Sequence, residues 1–526
     1  MFPLKLGTDE QFRSLRSMLA QCGYTEEAVC KRVGIPRISH FISIHEGRSA
    51  SHDLKDALDA LIRLLMDGEA VSSESLGQHL PPGAVDTLLG LEVVRPVDDD
   101  PALLGATAIL YCVNGLFIAS DRIFPIRGNS SMPEDIVYSA ITANTERFLS
   151  FVPSDPCGSL LDLCTGSGVA ALAGAAKYAQ RAWATDLAGR SVHFSEFNRR
   201  LNALPNVSAV QGDLYSAVEG LTFDRILAHP PYVPAEQQKV LFRDGGKDGE
   251  LIFRRIIEGL PEFLNPGGRA YILTRATDRD GAPLEQRIRK WLGPAHSEFD
   301  VFLLIQKEQP GPDEFERLAT RLADGPVRLG PNAQVLRDLE VTSLLYVLVV
   351  VQRQDAPRRA INARSRKAPE ATNEAVEWFR LWHLRTAAPD FFETIVQSRP
   401  RPAERFRLSV THGLQQGRLA PIDFRLKTDY PYVTDATVEP WIAIMIGFCD
   451  GERSVREVFE ELRAQEVIEQ DSSEEEFVSI LSQLIGGGFL EVGEHPLPER
   501  RASAASPGAE PESSLCGGDH ELHGAD

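Results

Sequence analysis

The residues of this chain best suited to chemistry lie between positions 159 and 234. A short apolar run, Leu160-Leu161-Asp162-Leu163, reads as a buried strand. It breaks into Thr165-Gly166-Ser167-Gly168, and an Ala-rich helical pattern follows from 169 to about 178. Strand, glycine turn and helix together suit a nucleotide-type cofactor. Glycine has no Cβ to hold a ligand off the backbone, and a helix start offers unpaired N–H groups. Asp186 follows a second strand at 181–185, where a carboxylate grips a ribose diol by accepting from both hydroxyls. A third strand, 207–211, leads to Asp213, placed to meet an adenine amino group. A fourth, 223–227, runs into His229-Pro230-Pro231-Tyr232.

In this order the segments resemble the class I S-adenosylmethionine-dependent methyltransferases. The resemblance implies that Asp162 and the Gly166–Gly168 loop hold the methionine part of S-adenosylmethionine, Asp186 the ribose and Asp213 the adenine, with Thr165 and Leu214 also binding the cofactor. HPPYVP at 229–234 resembles the Asn-Pro-Pro-Tyr motif of methyltransferases that modify planar nitrogens. FRDGGKDG at 242–249, followed by RRIIEGLPEFLNPGGRAYILT, resembles the release-factor glutamine methyltransferase (HemK/PrmC) branch. These likenesses cover roughly residues 120–354.

By the same resemblance His229, Pro230, Pro231 and Tyr232 are the catalytic residues. An amide or exocyclic amine is a poor nucleophile, because its lone pair is delocalised into the π system. In the family motif the Asn oxygen and the first Pro carbonyl accept its two N–H bonds, and the Tyr packs on the planar group. Here His229 stands where that Asn would be. A neutral imidazole accepts one hydrogen bond and a protonated one accepts none. Three uses stay open: acceptor for a nitrogen substrate, general base on a hydroxyl, or a remnant in a site that has lost transfer activity. The corresponding functions are a methyltransferase for a planar nitrogen, a small-molecule or O-methyltransferase, and a cofactor-binding scaffold.

The elements that must position these residues alternate strand and helix over 158–354, which predicts a parallel α/β sheet with right-handed crossovers. Strands five to seven are expected at 267–273, 299–305 and 344–351, the last apolar enough to be buried on both faces. The resemblance implies a seven-stranded Rossmann-like sheet whose last strand inserts antiparallel, with an insertion at 308–342 before it. Upstream, a loop and a helix at 120–150 are expected to cover the cofactor, with Pro133 in the helix's first turn and Ser130 or Ser131 near ligand.

Five segments are expected: 1–118, 119–354, 355–371, 372–495 and 496–526. The first is helical with apolar residues at helical spacing (Phe12, Leu15, Met18, Leu19), then strands at 90–94 and 106–113 that pair with each other; the pattern resembles a winged helix. The second is the methyltransferase domain. The third is a basic Pro/Ala/Arg/Lys-rich linker. The fourth opens with a helix at 374–384 whose Trp378, Phe379 and Trp382 read as core, has short strands at 405–410 and 424–426, and resembles the winged-helix-type PqqD-like peptide-binding modules through Cys449-Asp450-Gly451, Ser454-Val455 and Gly488-Phe489-Leu490. The fifth is a polar tail expected to be disordered.

With 526 residues, several domains are expected, and 43% hydrophobic with 25% charged residues is an ordinary soluble balance. No apolar run reaches the roughly 18 residues that span a bilayer. Seven scattered cysteines argue for reduced thiols in a cytoplasmic protein and against a structural zinc site. A net charge of −20 argues against coating duplex DNA or RNA, where Lys and Arg neutralise phosphates. The peptide-module resemblance of the C-terminal part implies a protein or peptide acceptor over nucleic acid.

Overall fold

The computed structural model describes residues 2–42, 54–97, 100–122, 133–235, 241–322, 333–493 and 495–499. The expectations for Ser130, Ser131 and most of the tail fall outside these residues.

The centre is one mixed sheet of eight strands: β1 (Cys157–Leu163), β2 (Ala179–Asp186), β3 (Val207–Gln211), β4 (Phe223–Ala228), β5 (Leu264–Arg279), β6 (Phe299–Pro310), β7 (Val341–Arg353) and β8 (Asn362–Arg366). Their order is β3-β2-β1-β4-β5-β7-β6-β8. Only β7 runs antiparallel to its neighbours β5 and β6, as expected. The expected count of seven is exceeded because β8 pairs with β6 in parallel register, Val301 to Asn362 through Ile305 to Arg366. β8 comes from the segment read as a linker. Its basic composition suggested solvation, but Arg358 pairs with the buried Asp300, and Arg364 with Asp278 and Glu285. The arginines that look like a free patch in sequence instead pin an edge strand.

Side chains alternate across the sheet. Leu160, Leu227, Tyr271, Leu273, Phe302, Leu304, Leu348 and Val350 face one layer. That layer includes the helices α1 (Ala143–Phe151), α2 (Val169–Lys177) and α3 (Gly189–Leu201). Leu161, Leu163, Ile226, Ala228, Ile272, Leu303, Val347 and Val349 face the other layer. There α4 (Leu251–Phe263) and α5 (Leu284–Trp291) close the second core. β7 is fully buried from Val347 to Val351, which its unbroken apolar run anticipated.

Pro133 is not in a helix's first turn. It begins a turn in which the Ile136 N–H reaches its carbonyl, and the helix starts ten residues later, capped by Thr142. The 308–342 insertion carries helices Pro312–Leu322 and Ala333–Asp338, and its ends extend β6 and β7.

The N-terminal part packs helices Asp9–Gln21, Glu26–Val33, Ser73–His79 and Ala84–Gly90 around Phe12, Leu15 and Leu19. Its strands do not pair as expected. Val94–Val97 pairs with Asp100–Ala106, and Ile109–Val113 forms a second hairpin with Leu116–Ser120. A local turn at Asn114-Gly115, both at positive φ, wins over the longer pairing because closing it orders fewer residues. This second hairpin crosses the expected boundary at 118 and lies on α3: Asn198 donates to the Ala119 carbonyl and accepts its N–H, and Asn202 does the same with Phe117.

In the C-terminal part, helix Asn373–Thr386 buries Phe379 and Trp382, with Phe379 against Phe302 of β6. The short strands expected there are a long hairpin, Arg407–Gln415 with Arg418–Thr428, joined by Thr434–Val438. Helices Pro440–Phe448, Val455–Ala464 and Glu474–Gly486 follow, and Leu490–Val492 closes against Pro400–Pro402.

Candidate functional site

The C-terminal ends of the parallel strands β1, β2, β3 and β4 form one rim, the usual ligand edge of an open α/β sheet. β1 ends at Leu163 and turns through Cys164 into the glycine loop. Gly166 and Gly168 both have positive φ, at 54° and 83°. A Cβ on Gly166 would meet nothing within 4 Å, so this side of the loop faces open space. A Cβ on Gly168 would lie 3.1 Å from Ser195 Cβ and 3.3 Å from its Cα, so only glycine lets α3 approach. The Ser195 hydroxyl donates to the Gly166 carbonyl, and buried Asn198 donates to that of Ser167. The hairpin held by Asn198 therefore also braces the loop.

The three acids anticipated from sequence share this rim. Asp162 is buried and accepts from the Thr165 hydroxyl and the Ala171 N–H. Burial pushes its pKa up to about 7, and the nearby Asp186 charge adds to the rise. Asp186 accepts from Gly166 N–H and Ala188 N–H, one on each oxygen at 2.9 Å. The Ser191 hydroxyl and the Leu187 N–H also reach this carboxylate, and its burial raises its pKa. Asp213 opens the turn after β3 and pairs with Arg255 of α4 at 2.8 Å. Burial raises the Cys164 thiol well above its ordinary pKa, and Asp186, Asp162 and Asp213 all add to that rise, so all three acids lie within electrostatic reach of Cys164. Leu214 follows at φ 52°, buried.

This arrangement fits S-adenosylmethionine. An open glycine cradle and a concentration of carboxylates suit a ligand carrying a ribose, a sulfonium and an ammonium group. Asp186 would hold the ribose. Ionised Asp162 would be favoured by the ligand's positive charge.

His229 lies beside this loop, because Leu163 and Ala228 are register partners in β1 and β4. Its ring is 5.5 Å from Phe148 of α1 and stacks at 5.8 Å on Tyr232. Burial lowers its pKa to about 4, so it is neutral at pH 7. Pro230 and Pro231 are buried. The segment behind the motif is fixed by its glycines: a Cβ on Gly245 would lie 2.8 Å from the Pro231 carbonyl, and one on Gly249 2.5 Å from that of Tyr232. Val233 N–H reaches the Arg243 carbonyl, and Gly245 N–H that of Val233. Buried Glu250 anchors the end of this segment, accepting from Thr277 N–H at 2.7 Å and its hydroxyl at 2.8 Å, and pairing with Arg279 and Arg287.

Sequence reasoning missed five residues around the motif: Phe148, Arg147, Tyr346, Arg275 and Arg255. Tyr346 of β7 meets Tyr232 edge-on at 6.4 Å. Arg275 is the register partner of Tyr346 and lies 5.5 Å from the Tyr232 ring. Arg147 lies 5.9 Å from the Tyr346 ring. These residues come from four segments: the β5–β7 register and the placement of α1 bring four of them to the motif, and α4 carries Arg255 to Asp213.

The profile of the methyltransferase small domain family matches residues 137–296. A ribosomal protein uL3 glutamine methyltransferase of Bordetella pertussis is 31% identical over 263 residues, which cover 46% of this chain and 86% of that protein. A release factor glutamine methyltransferase of Moorella thermoacetica is 35% identical over 129 residues, covering 22% of this chain and 45% of that protein. The chain spans about half the length of the curated relatives it matches first. With the match over most of the Bordetella protein, the rim of acids and the Pro-Pro-Tyr motif have a common explanation: the chain belongs to the S-adenosylmethionine-dependent methyltransferase family that includes these glutamine methyltransferases.

Proposed function

We propose that this protein transfers a methyl group to a planar nitrogen of a protein acceptor, with the side-chain amide of glutamine as the first candidate. The observation that carries this reading is the state of His229: half-buried, neutral at pH 7, stacked on Tyr232 and tilted against Phe148 at the rim. A neutral imidazole accepts a hydrogen bond as the family's Asn does, though only one. A general base works best with a pKa near the working pH, and a value of about 4 is far below it. That counts against the reading in which His229 deprotonates a hydroxyl.

In this reading His229 accepts one N–H of the acceptor amide and the Pro230 carbonyl accepts the other. The Tyr232 ring supports the amide plane. Together they hold the nitrogen in line, and orientation of this kind supplies several kcal/mol of a displacement barrier. When bound, S-adenosylmethionine supplies the electrophilic methyl. Asp162, Thr165, Gly166 and Gly168 hold its amino-acid end, Asp186 its ribose, and Asp213 with Leu214 its adenine. The N- and C-terminal parts, read as winged-helix-like and PqqD-like modules, would dock the protein that carries the acceptor. The relatives named as acting on a release factor and a ribosomal protein support a protein acceptor.

The test is methyl transfer from labelled cofactor to fractionated cell extract and to glutamine peptides. Label in protein, lost in Tyr232→Ala, supports the reading. Tight cofactor binding with label in no fraction supports the scaffold alternative. Label confined to small molecules supports the O-methyl alternative.

A further inference from the structure

Two arginines at the motif stand apart from most others in the methyltransferase domain. Arg255, Arg269, Arg279, Arg287, Arg353 and Arg364 each pair with a carboxylate. Among the described residues Arg147 and Arg275 make no ion pair. Both lie against rings, Arg147 against Tyr346, whose hydroxyl it also meets, and Arg275 against Tyr232. Glu146, next to Arg147 in the chain, is taken by Arg37 and Ser39. A guanidinium near an aromatic ring keeps N–H donors free for a carboxylate. In a chain of net charge −20, two such cations beside the motif give this mouth a local positive character.

The same mouth has an apolar ledge. Tyr138 and Phe242, exposed by 41% and 39%, stack on each other at 5.1 Å. Tyr232 contributes to the raised pKa of Tyr138, which puts the ledge within electrostatic reach of the motif. Rings flanked by unpaired guanidinium groups suit a polypeptide that carries both apolar and acidic side chains.

Resting on the function proposed above, we infer that Arg147 and Arg275 form an anion subsite that selects acceptors with a carboxylate one to three residues from the methylated amide. An extended chain advances about 3.3–3.6 Å per residue, so that spacing matches guanidinium groups lying beside the rings that hold the amide. The acceptor class is an acidic polypeptide segment. The expected preference is roughly tenfold, about 1.4 kcal/mol, within the reach of two exposed charge pairs.

The experiment uses the full chain saturated with S-adenosylhomocysteine. Fluorescent peptides carry one glutamine flanked by Glu, Ala or Lys, and equilibrium binding is measured at low and high salt. Transfer from labelled S-adenosylmethionine to the same peptides is followed in parallel. The Glu-flanked peptide is expected to bind about tenfold tighter than the Lys-flanked one, with the ratio shrinking in high salt. Arg275→Glu should invert the order, and Arg147→Glu should do so in a second, independent protein. Equal binding, tighter binding of the Lys peptide, or an unchanged order in both variants overturns the subsite. A single-stranded RNA that binds tighter than the Glu peptide and is lost in Arg275→Glu also overturns it, in favour of a nucleic-acid acceptor. Absence of label in every peptide bears on the function proposed above, while the binding ratios still decide the subsite.

Discussion

At the scale of single residues, the protonation states of His229 and Asp162 give opposite pH signatures. Burial holds His229 near 4, below its ordinary value of 6.5, so the unfolded chain binds more protons than the folded one between those values. Its contribution to stability is present above pH 6.5 and is lost as pH falls toward 4. Methyl transfer should therefore keep an acid limb no higher than about pH 5, and a limb near 6.5 would show that the imidazole titrates normally. His229→Asn should retain or raise transfer to an amide peptide; complete loss with unaltered cofactor binding would count against the amide reading. Asp162 lies the other way. Its folded pKa of about 7 exceeds the usual 3.8, so it favours the folded state at low pH and that contribution is lost as pH rises through 7. Since a cationic ligand favours the carboxylate, cofactor affinity should rise between pH 6 and 8, and Asp162→Asn should flatten the rise in a calorimetric titration.

Among elements, the loop of residues 242–250 is held by charge as well as by glycine. Glu250 is buried and meets two arginines and a threonine. Glu250→Ala leaves those arginines without their carboxylate, which costs about 3–5 kcal/mol in comparable buried pairs. Urea unfolding should show a loss of that order; a change under 1 kcal/mol would mean the network is not holding the loop. Gly168→Ala forces a left-handed backbone on a residue with a Cβ and pushes it into Ser195. It should weaken cofactor binding more than Gly220→Ala. Gly220 also has positive φ, but its turn has nothing within 4 Å of an added Cβ and lies away from the cofactor rim.

For the whole molecule, the sheet does not end where the methyltransferase resemblance ends. β8 covers one edge of β6, and helix Asn373–Thr386 brings Phe379 onto Phe302. A chain cut after residue 354 bares that edge and should aggregate or melt lower than the full chain, because an uncovered strand edge pairs with other copies. A soluble fragment with an unchanged melting point would show the added strand to be dispensable. In the full chain, cofactor at 100 times its Kd should add about 2.7 kcal/mol of stability, and Asp186→Ala should remove most of it. No helix among the described residues is long and apolar enough to cross a membrane.

Local chemistry made much of this protein legible from its residues. Strand periodicity, the glycine turn and the apolar run of β7 each depend on neighbours within a few positions, so the alternating strands and helices were legible locally, while the antiparallel insertion and the roles at the rim came from the resemblance to class I methyltransferases. The seven-strand count and the free linker went wrong where a distant partner decides, and the N-terminal pairing where a nearer turn wins. The Arg358–Asp300 pair turns a basic stretch into an edge strand, and Asn198 and Asn202 draw a hairpin across the expected boundary. The arginines and rings around His229 were invisible for the same reason. Arg275 faces Tyr346 only through a register set 71 residues apart in the chain, and His229 is neutral only because tertiary packing removes it from water. Spacing in sequence records which groups are available. Burial and strand register decide which of them meet and in what charge state.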